Sequence, residues 1–287
     1  MKPPSFDYAV PEALDDAVNL LFGESSAKVL AGGQSLVPLL SLRLATPSLL
    51  VDLRRVPGLD DIECANGAVV IGSMVRQRRA EHNDGLRASV PLLAAALAHV
   101  AHPQIRSQGT IGGSIAHGDP AGELPAVLVA LDGRVRARGP AGERIIAAED
   151  FFTGFLTTSL SEDEILTAIE FDEAPPDTGV ACVEVAQRSG DYALCGAVAQ
   201  LRLEDGLVAD ARLALIGMGD RPVRARGLEA ALTGERASAE SVAAIVHHIA
   251  EDAKPIDDPQ VPADYRLQLA QVVARRALVQ AIENVAI

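Results

Sequence analysis

Tryptophan is absent from this chain, and Phe and Tyr bring the aromatic share to only 3%. A pocket that recognises a flat organic substrate by itself is usually lined with aromatic and apolar side chains. A nucleotide cofactor can be held largely by backbone N–H groups, so the shortage favours a cofactor carrier over a substrate-binding enzyme. Cysteine is scarce as well: Cys64, Cys182 and Cys195 are the whole set, and none of them forms a CxxC pair. A protein-bound iron–sulfur cluster usually takes four thiolates and a structural zinc site a similar set, so the chain builds neither from cysteine alone. Free buried thiols in a reducing compartment are expected. Basic residues are outnumbered, 25 against 39 acidic, for a formal charge of −14. Such a surface repels polyphosphate backbones and argues against nucleic acid as a partner. No apolar run reaches the ~18 residues of a membrane span, and the N-terminus has no apolar signal core. The expectation is a cytoplasmic protein with no membrane span.

What the chain does have is an apolar fraction of 48% over 287 residues, enough to bury a sizeable core in two domains. Residues 11–22 carry helical periodicity, 28–31 a short apolar strand, 36–44 a second helix with Ser35 as N-cap, and 49–52 another strand. This small unit closes near Pro57-Gly58. A strand at 68–72, helices at 91–100 and 122–131, a glycine-rich loop at 109–114 and strands at 134–138 and 164–171 follow. Residues 173–179, with two prolines and a glycine, read as a linker. Beyond it, extended runs at 180–187, 195–203 and 208–216 precede helical patterns at 237–250 and 263–284. The fold class is α+β: a first domain over 1–175, divided near 57 into a small α/β unit and a larger α+β unit, then a sheet-and-helix domain over 176–287.

Two segments carry chemistry. The first is Ala31-Gly32-Gly33-Gln34-Ser35, between a strand and a helix. The second is Thr110-Ile111-Gly112-Gly113-Ser114, preceded by Gly109 and followed by Ile115-Ala116-His117-Gly118-Asp119-Pro120. Adjacent glycines can adopt positive φ, so that successive N–H groups point at one anion. The hydroxyls of Ser35, Thr110 and Ser114 add donors, and a helix start adds favourable partial charge. Neither segment contains a lysine or arginine. Neutral donors suit a phosphate that is held, not one that is transferred. The spacing is neither GxGxxG nor a P-loop. One such segment alone is most simply a tight turn. Two, each beside a core element, favour the two phosphoryl groups of a pyrophosphate.

These segments, with Asp119-Pro120 and Glu123-Leu124-Pro125, closely resemble the medium, FAD-binding subunit of molybdenum hydroxylases. That family includes aerobic carbon monoxide dehydrogenase, quinoline oxidoreductase and the flavin domain of xanthine dehydrogenase. The resemblance extends over essentially the whole chain, including Arg188-Ser-Gly-Asp191-Tyr192. It implies FAD in the cleft between the first two units, with residues 31–35 and 110–114 on the pyrophosphate. It further implies Glu123 near the adenosine ribose, Leu166 near the adenine and Tyr192 over one face of the isoalloxazine. Partners would be a large molybdopterin subunit, which oxidises the substrate, and a small subunit with two [2Fe–2S] clusters, in a dimer of heterotrimers. The chain's FAD would pass electrons to an external acceptor, and no residue here would act as a catalyst on the organic substrate. Gln34 stands where carbon monoxide dehydrogenases tend to have His, which leans towards hydroxylases of nitrogen heterocycles. The alternative is a self-contained FAD-dependent oxidase of the same superfamily, which would want a richer aromatic pocket.

Other signals weigh less. His99 and His102 lack an acidic partner in a metal-ligand pattern, and His247 and His248 point to different sides of a helix. Ser114, His117 and Asp119 have the letters of a hydrolase triad, but on one loop they have little room to align. Arg76-Gln77-Arg78-Arg79 reads as a solvated face. No metal site is expected.

Overall fold

The computed structural model describes residues 2–257 and 261–285. In the first unit, β1 (Asp7–Ala9), β2 (Ala27–Leu30) and β3 (Leu49–Asp52) form a parallel sheet in the order β1-β3-β2. Parallel neighbours need crossovers. Helix Leu14–Gly23 supplies one, burying Ala17, Val18 and Leu21 with Val51 and Ala27. Helix Leu36–Ser41 supplies the other. It stops three residues before the expected end because Arg43 is left-handed, φ 58°. The Leu44 and Arg43 N–H groups then close on the carbonyls of Leu39 and Leu40, at 2.9 and 3.0 Å, a Schellman-type stop.

The second unit holds β4 (Ile62–Ala65), β5 (Ala68–Gly72), β6 (Arg134–Gly139) and β7 (Gly142–Ala147). A small hairpin follows, β8 (Phe152–Gly154) with β9 (Thr157–Thr158), and then β10 (Ile165–Asp172). The main sheet is antiparallel in the order β4-β5-β10-β6-β7. Central β10 is buried over all but its last residue. Asn66 and Gly67, both at positive φ, make the two-residue turn between β4 and β5, the conformation that favours this dipeptide in hairpins.

The third unit is an antiparallel sheet of β11 (Thr178–Val185), β12 (Cys195–Glu204), β13 (Leu207–Ile216) and β14 (Val223–Arg224). Helix Ala263–Glu283 packs on it through Ala270, Val273, Ala274, Ala277, Leu278 and Ala281, spaced three and four apart. Glycine at 179 permits that approach: a Cβ there would lie 1.9 Å from the Ala281 carbonyl oxygen.

The mixed helix-and-strand architecture bears out the α+β expectation. The linker at 173–179 is tighter than expected. Glu173 and Ala174 donate to the carbonyls of Gly67 and Ser89, both at 2.8 Å, and β11 already begins at Thr178. Cys182, Val198, Ala214 and Ile216 share one core with Leu93, Leu124 and Val127. The third sheet is therefore packed against the second unit. Expected helix 237–250 divides into Ala239–Ile245, a 3-10 turn at Val246–His248 and Ile249–Asp252. That tighter turn brings the His247 and His248 rings together, centroids 4.4 Å apart, instead of to different sides. Cys182 and Cys195 are buried as expected, but Cys64 is exposed. No described helix is long and apolar enough to cross a membrane.

Candidate functional site

β2 ends at Leu30, and residues 31–35 turn the chain into helix Leu36–Ser41. Gly33 takes positive φ, 72°, and Gly32 does not. Glycine is needed at 32 for closeness instead: a Cβ would sit 2.4 Å from the Gln108 carbonyl oxygen and 2.8 Å from Gly109 Cα. The first segment is thus pressed directly against the second. Among the described residues, the N–H groups of Gly32, Gly33, Gln34 and Ser35 donate to no protein atom. Four successive unengaged donors at a helix start are of the kind that could hold an anion. The Gln34 side chain folds back, its amide donating to the Gly32 carbonyl at 3.1 Å. Ser35 occupies the N-cap position without capping through its side chain.

The second segment is not the loop that the sequence suggests. Helix Ile111–His117 begins inside it, with Thr110 as N-cap accepting the Gly113 N–H at 2.9 Å. Ile111 donates to Val75 at 2.9 Å, Gly112 to Ser73 at 3.0 Å and Ser114 to Thr110 at 3.2 Å. The N–H groups of 111–114 are therefore already engaged, and neither Gly112 nor Gly113 has positive φ. Their bare Cα atoms serve packing. A Cβ on Gly112 would meet Ser73 Cβ at 2.4 Å, and one on Gly113 would crowd the capping Thr110 Oγ1 at 2.7 Å. Thr110 and Ile111 are buried, at 2% and 1% exposure. Ser114, half-buried on the same helix, keeps its hydroxyl free of protein partners among the described residues.

The arginine run is a brace as much as a surface. Arg76 bridges Thr110 in an isolated β-pair, and its guanidinium donates to the Gln108 carbonyl. Gln77, buried, donates its N–H to Gly109 at 2.9 Å. The triad letters do not combine: Ser114 and His117 share a short helix, and Asp119 accepts the Ala121 N–H at 2.9 Å. The described residues contain no cluster of three potential metal ligands.

The outlying residues differ in how closely they approach. Leu166 lies in the β10 bulge, packed in the core. It shares that core with Ile111 and Ile115 of the second segment's helix, which packs on β10, and the Thr167 carbonyl accepts the Ser73 N–H at 2.9 Å. Tyr192 is 63% exposed and has Ser35 among its polar neighbours. Burial of its hydroxyl, with Asp119 and Glu123 nearby, pushes its pKa up. Tyr192 and the first segment are thus brought together. Glu123 opens helix Glu123–Ala130 and is 9% exposed. Burial, seconded by the carboxylates of Glu184 and Asp119, raises its pKa to about 7. His99 pairs with Glu184 on β11, at 3.4 Å, a contact that the sequence does not announce. Its pKa is raised, chiefly by that bond. No local pattern could have revealed this pair, which joins two units.

Residues 4–172 match the family model described as the FAD binding domain in molybdopterin dehydrogenase. Residues 181–281 match that of the CO dehydrogenase flavoprotein C-terminal domain. The chain is 40% identical to the nicotine 6-hydroxylase medium subunit of Paenarthrobacter nicotinovorans, over 98% of this chain and 99% of that one. It is 39% identical to the 6-hydroxypseudooxynicotine dehydrogenase complex subunit alpha of the same organism, over 99% and 97%. Among solved structures, carbon monoxide dehydrogenase from Hydrogenophaga pseudoflava superposes with a TM-score of 0.96 at 37% identity, covering 100% of both chains.

Proposed function

Because the chain belongs to the family of FAD-binding medium subunits of molybdenum hydroxylases, we propose that it holds FAD noncovalently and relays electrons. They come from the [2Fe–2S] clusters of a small partner subunit and leave to an external acceptor. One observation carries the reading of the site: the four unengaged N–H groups of residues 32–35, in the turn between β2 and a helix. They fit a pyrophosphate, which needs donors and no counter-charge on a side chain. When bound, FAD supplies redox chemistry that no side chain here has, accepting electrons singly and delivering them in pairs.

The roles divide by what each residue has free. The N–H groups of Gly32, Gly33, Gln34 and Ser35 grip the phosphoryl oxygens, with the Ser35 and Ser114 hydroxyls adding donors. Ala31, Thr110, Ile111, Gly112 and Gly113 shape the wall and offer few free donors of their own. Glu123 stands towards the ribose, Leu166 backs the adenine end, and Tyr192 covers one face of the isoalloxazine. The substrate is oxidised in a large molybdopterin subunit. An aromatic nitrogen heterocycle is the class favoured by Gln34 and by the nicotine 6-hydroxylase relative. The assembly is a cytoplasmic dimer of heterotrimers.

Acid precipitation of the purified complex tests the mode of binding. All the flavin should pass into the supernatant and be identified there as FAD. Colour retained on the precipitated chain would contradict noncovalent holding.

A further inference from the structure

The turn that leads into the second glycine segment is built more firmly than a connection needs. Ala101 there is left-handed, φ 41°, a conformation that a Cβ makes costly. Such strain persists only where the surroundings impose it. Buried Arg106 imposes it here: its Nη1 donates to the Val100 carbonyl at 2.8 Å and to that of Ala101 at 3.2 Å. Nε and Nη2 grip both oxygens of Glu81, at 2.9 and 3.0 Å. His102 follows as the residue before helix Pro103–Arg106. Gly109 closes that stretch by donating to the Ile105 carbonyl at 2.7 Å, and the second segment begins at the next residue. His102 is thus fixed to the second segment through one short, clamped stretch.

The His102 ring lies against Gly190, in the loop between β11 and β12 that carries Tyr192. A Cβ on Gly190 would come within 2.3 Å of His102 Cε1 and 2.5 Å of Nδ1, so only a bare Cα admits the ring. The root of the loop is held from the same turn, by His99 Nδ1 at 3.4 Å from Glu184 Oε1. The far flank is held as well. A Cβ on Gly217 would lie 3.3 Å from the Leu194 carbonyl oxygen, and the Gly217 N–H donates to Pro120 at 2.8 Å, just beyond helix Ile111–His117. Both flanks of Tyr192 are therefore tied to the second segment, while its side chain stays 63% exposed. We propose that His102 is a positioning residue of the cofactor site: seated on Gly190, its ring holds the 188–192 loop so that Tyr192 keeps its place by the proposed cradle, the N–H groups of residues 32–35. The proposal rests on the reading that Tyr192 covers the flavin, and adds what holds it there. A loop held in advance loses less freedom when the cofactor binds.

The measurement is the rate of FAD release from the purified complex, followed as the fluorescence of free flavin. Tyr192→Ala sets the scale, since loss of a stacked ring should speed release about fivefold or more. His102→Ala should speed it roughly two- to tenfold, the cost of ordering a loop no longer held. The double variant should be no faster than Tyr192→Ala alone, because both act through one contact. His102→Phe supplies another flat ring for Gly190 and should restore slow release. A wild-type rate in His102→Ala, beside a fast Tyr192→Ala, would overturn the proposal and leave the flavin reading standing. So would factors that multiply in the double variant, or a His102→Phe complex as fast as His102→Ala. Should His102→Ala not assemble, Gly190→Ala decides: its Cβ forces the ring off from the other side, and release at the wild-type rate would overturn the proposal. A wild-type rate in Tyr192→Ala, or a wild-type complex without FAD, would bring down the proposal together with the reading it rests on.

Discussion

Gly33 and Ser35 sit at the same turn and do different jobs, so their substitutions should read out differently. Gly33→Ala places a Cβ on a left-handed residue 3.1 Å from Val37 Cγ2. The strain is about 1–2 kcal/mol, and relieving it would rotate the N–H groups of the cradle. FAD affinity should fall roughly tenfold while circular dichroism stays native. Ser35→Ala removes one hydrogen bond to a charged group, about 1–3 kcal/mol, and flavin titration should show the corresponding loss. An unchanged Kd would take Ser35 out of the site. Asp52, at the end of β3, is fully buried and accepts Tyr8 Oη at 2.6 Å, the Arg54 N–H at 2.9 Å and Arg54 Nε at 2.7 Å. Burial works against its charge, but those bonds prevail and hold its pKa below the usual 3.8. Its contribution is therefore complete above the unfolded-state value and disappears as pH falls through the lower folded one. Asp52→Asn should cost about 1–3 kcal/mol near neutral pH and less in acid. An equal loss in urea melts at about pH 2.5 and pH 7 would contradict that linkage.

Helix Ile111–His117 shows what a sequence can and cannot disclose at the level of the element. Its two glycines and flanking hydroxyls suggest a loop, yet Ile111 and Ile115 are spaced for a buried helical face and Thr110 caps it. Helix propensity counts against Gly-Gly, but close packing on residues 73–75 overrides it. Thr110→Val should therefore destabilise the fold by about 1–2 kcal/mol, through loss of the cap to Gly113. Gly112→Ala should cost about 3 kcal/mol or more, because its Cβ would overlap Ser73 Cβ and Cα. Thermal melts would check both, and a Gly112→Ala protein of native stability would contradict the packing. The apolar strands β5, β10, β12 and β13 were legible because most of their residues are apolar and buried. β4 was legible in principle, through Asn66-Gly67, although four residues are too few to announce a strand. β7 and the helix Arg226–Leu232 were not, being short and without caps that their sequences advertise.

At the scale of the whole molecule, one core joins the second and third units and another joins the first unit to Met74 and Ile165 of the second, where residues 31–35 also meet the second segment. The two glycine segments of the proposed site were legible in the sequence because donors and small residues are local properties, and the structure presses the two together. The use of Gly32 as a contact surface, and the meeting of His99 with Glu184, depend on packing between segments distant in the chain, so no spacing rule reaches them. As proposed, this subunit relays electrons and does not meet the organic substrate. The direct test is to strip FAD from the assembled complex, confirm that its metals remain, and assay substrate oxidation with two acceptors. One is an artificial dye that draws electrons from the molybdenum or iron–sulfur centres. The other is the acceptor the untreated complex uses best among NAD, a quinone and oxygen. Dye-linked oxidation should persist without FAD, while turnover with the second acceptor should vanish and return on adding FAD back. Loss of both activities in a stripped, metal-replete complex would contradict the relay and bring the flavin into direct contact with substrate.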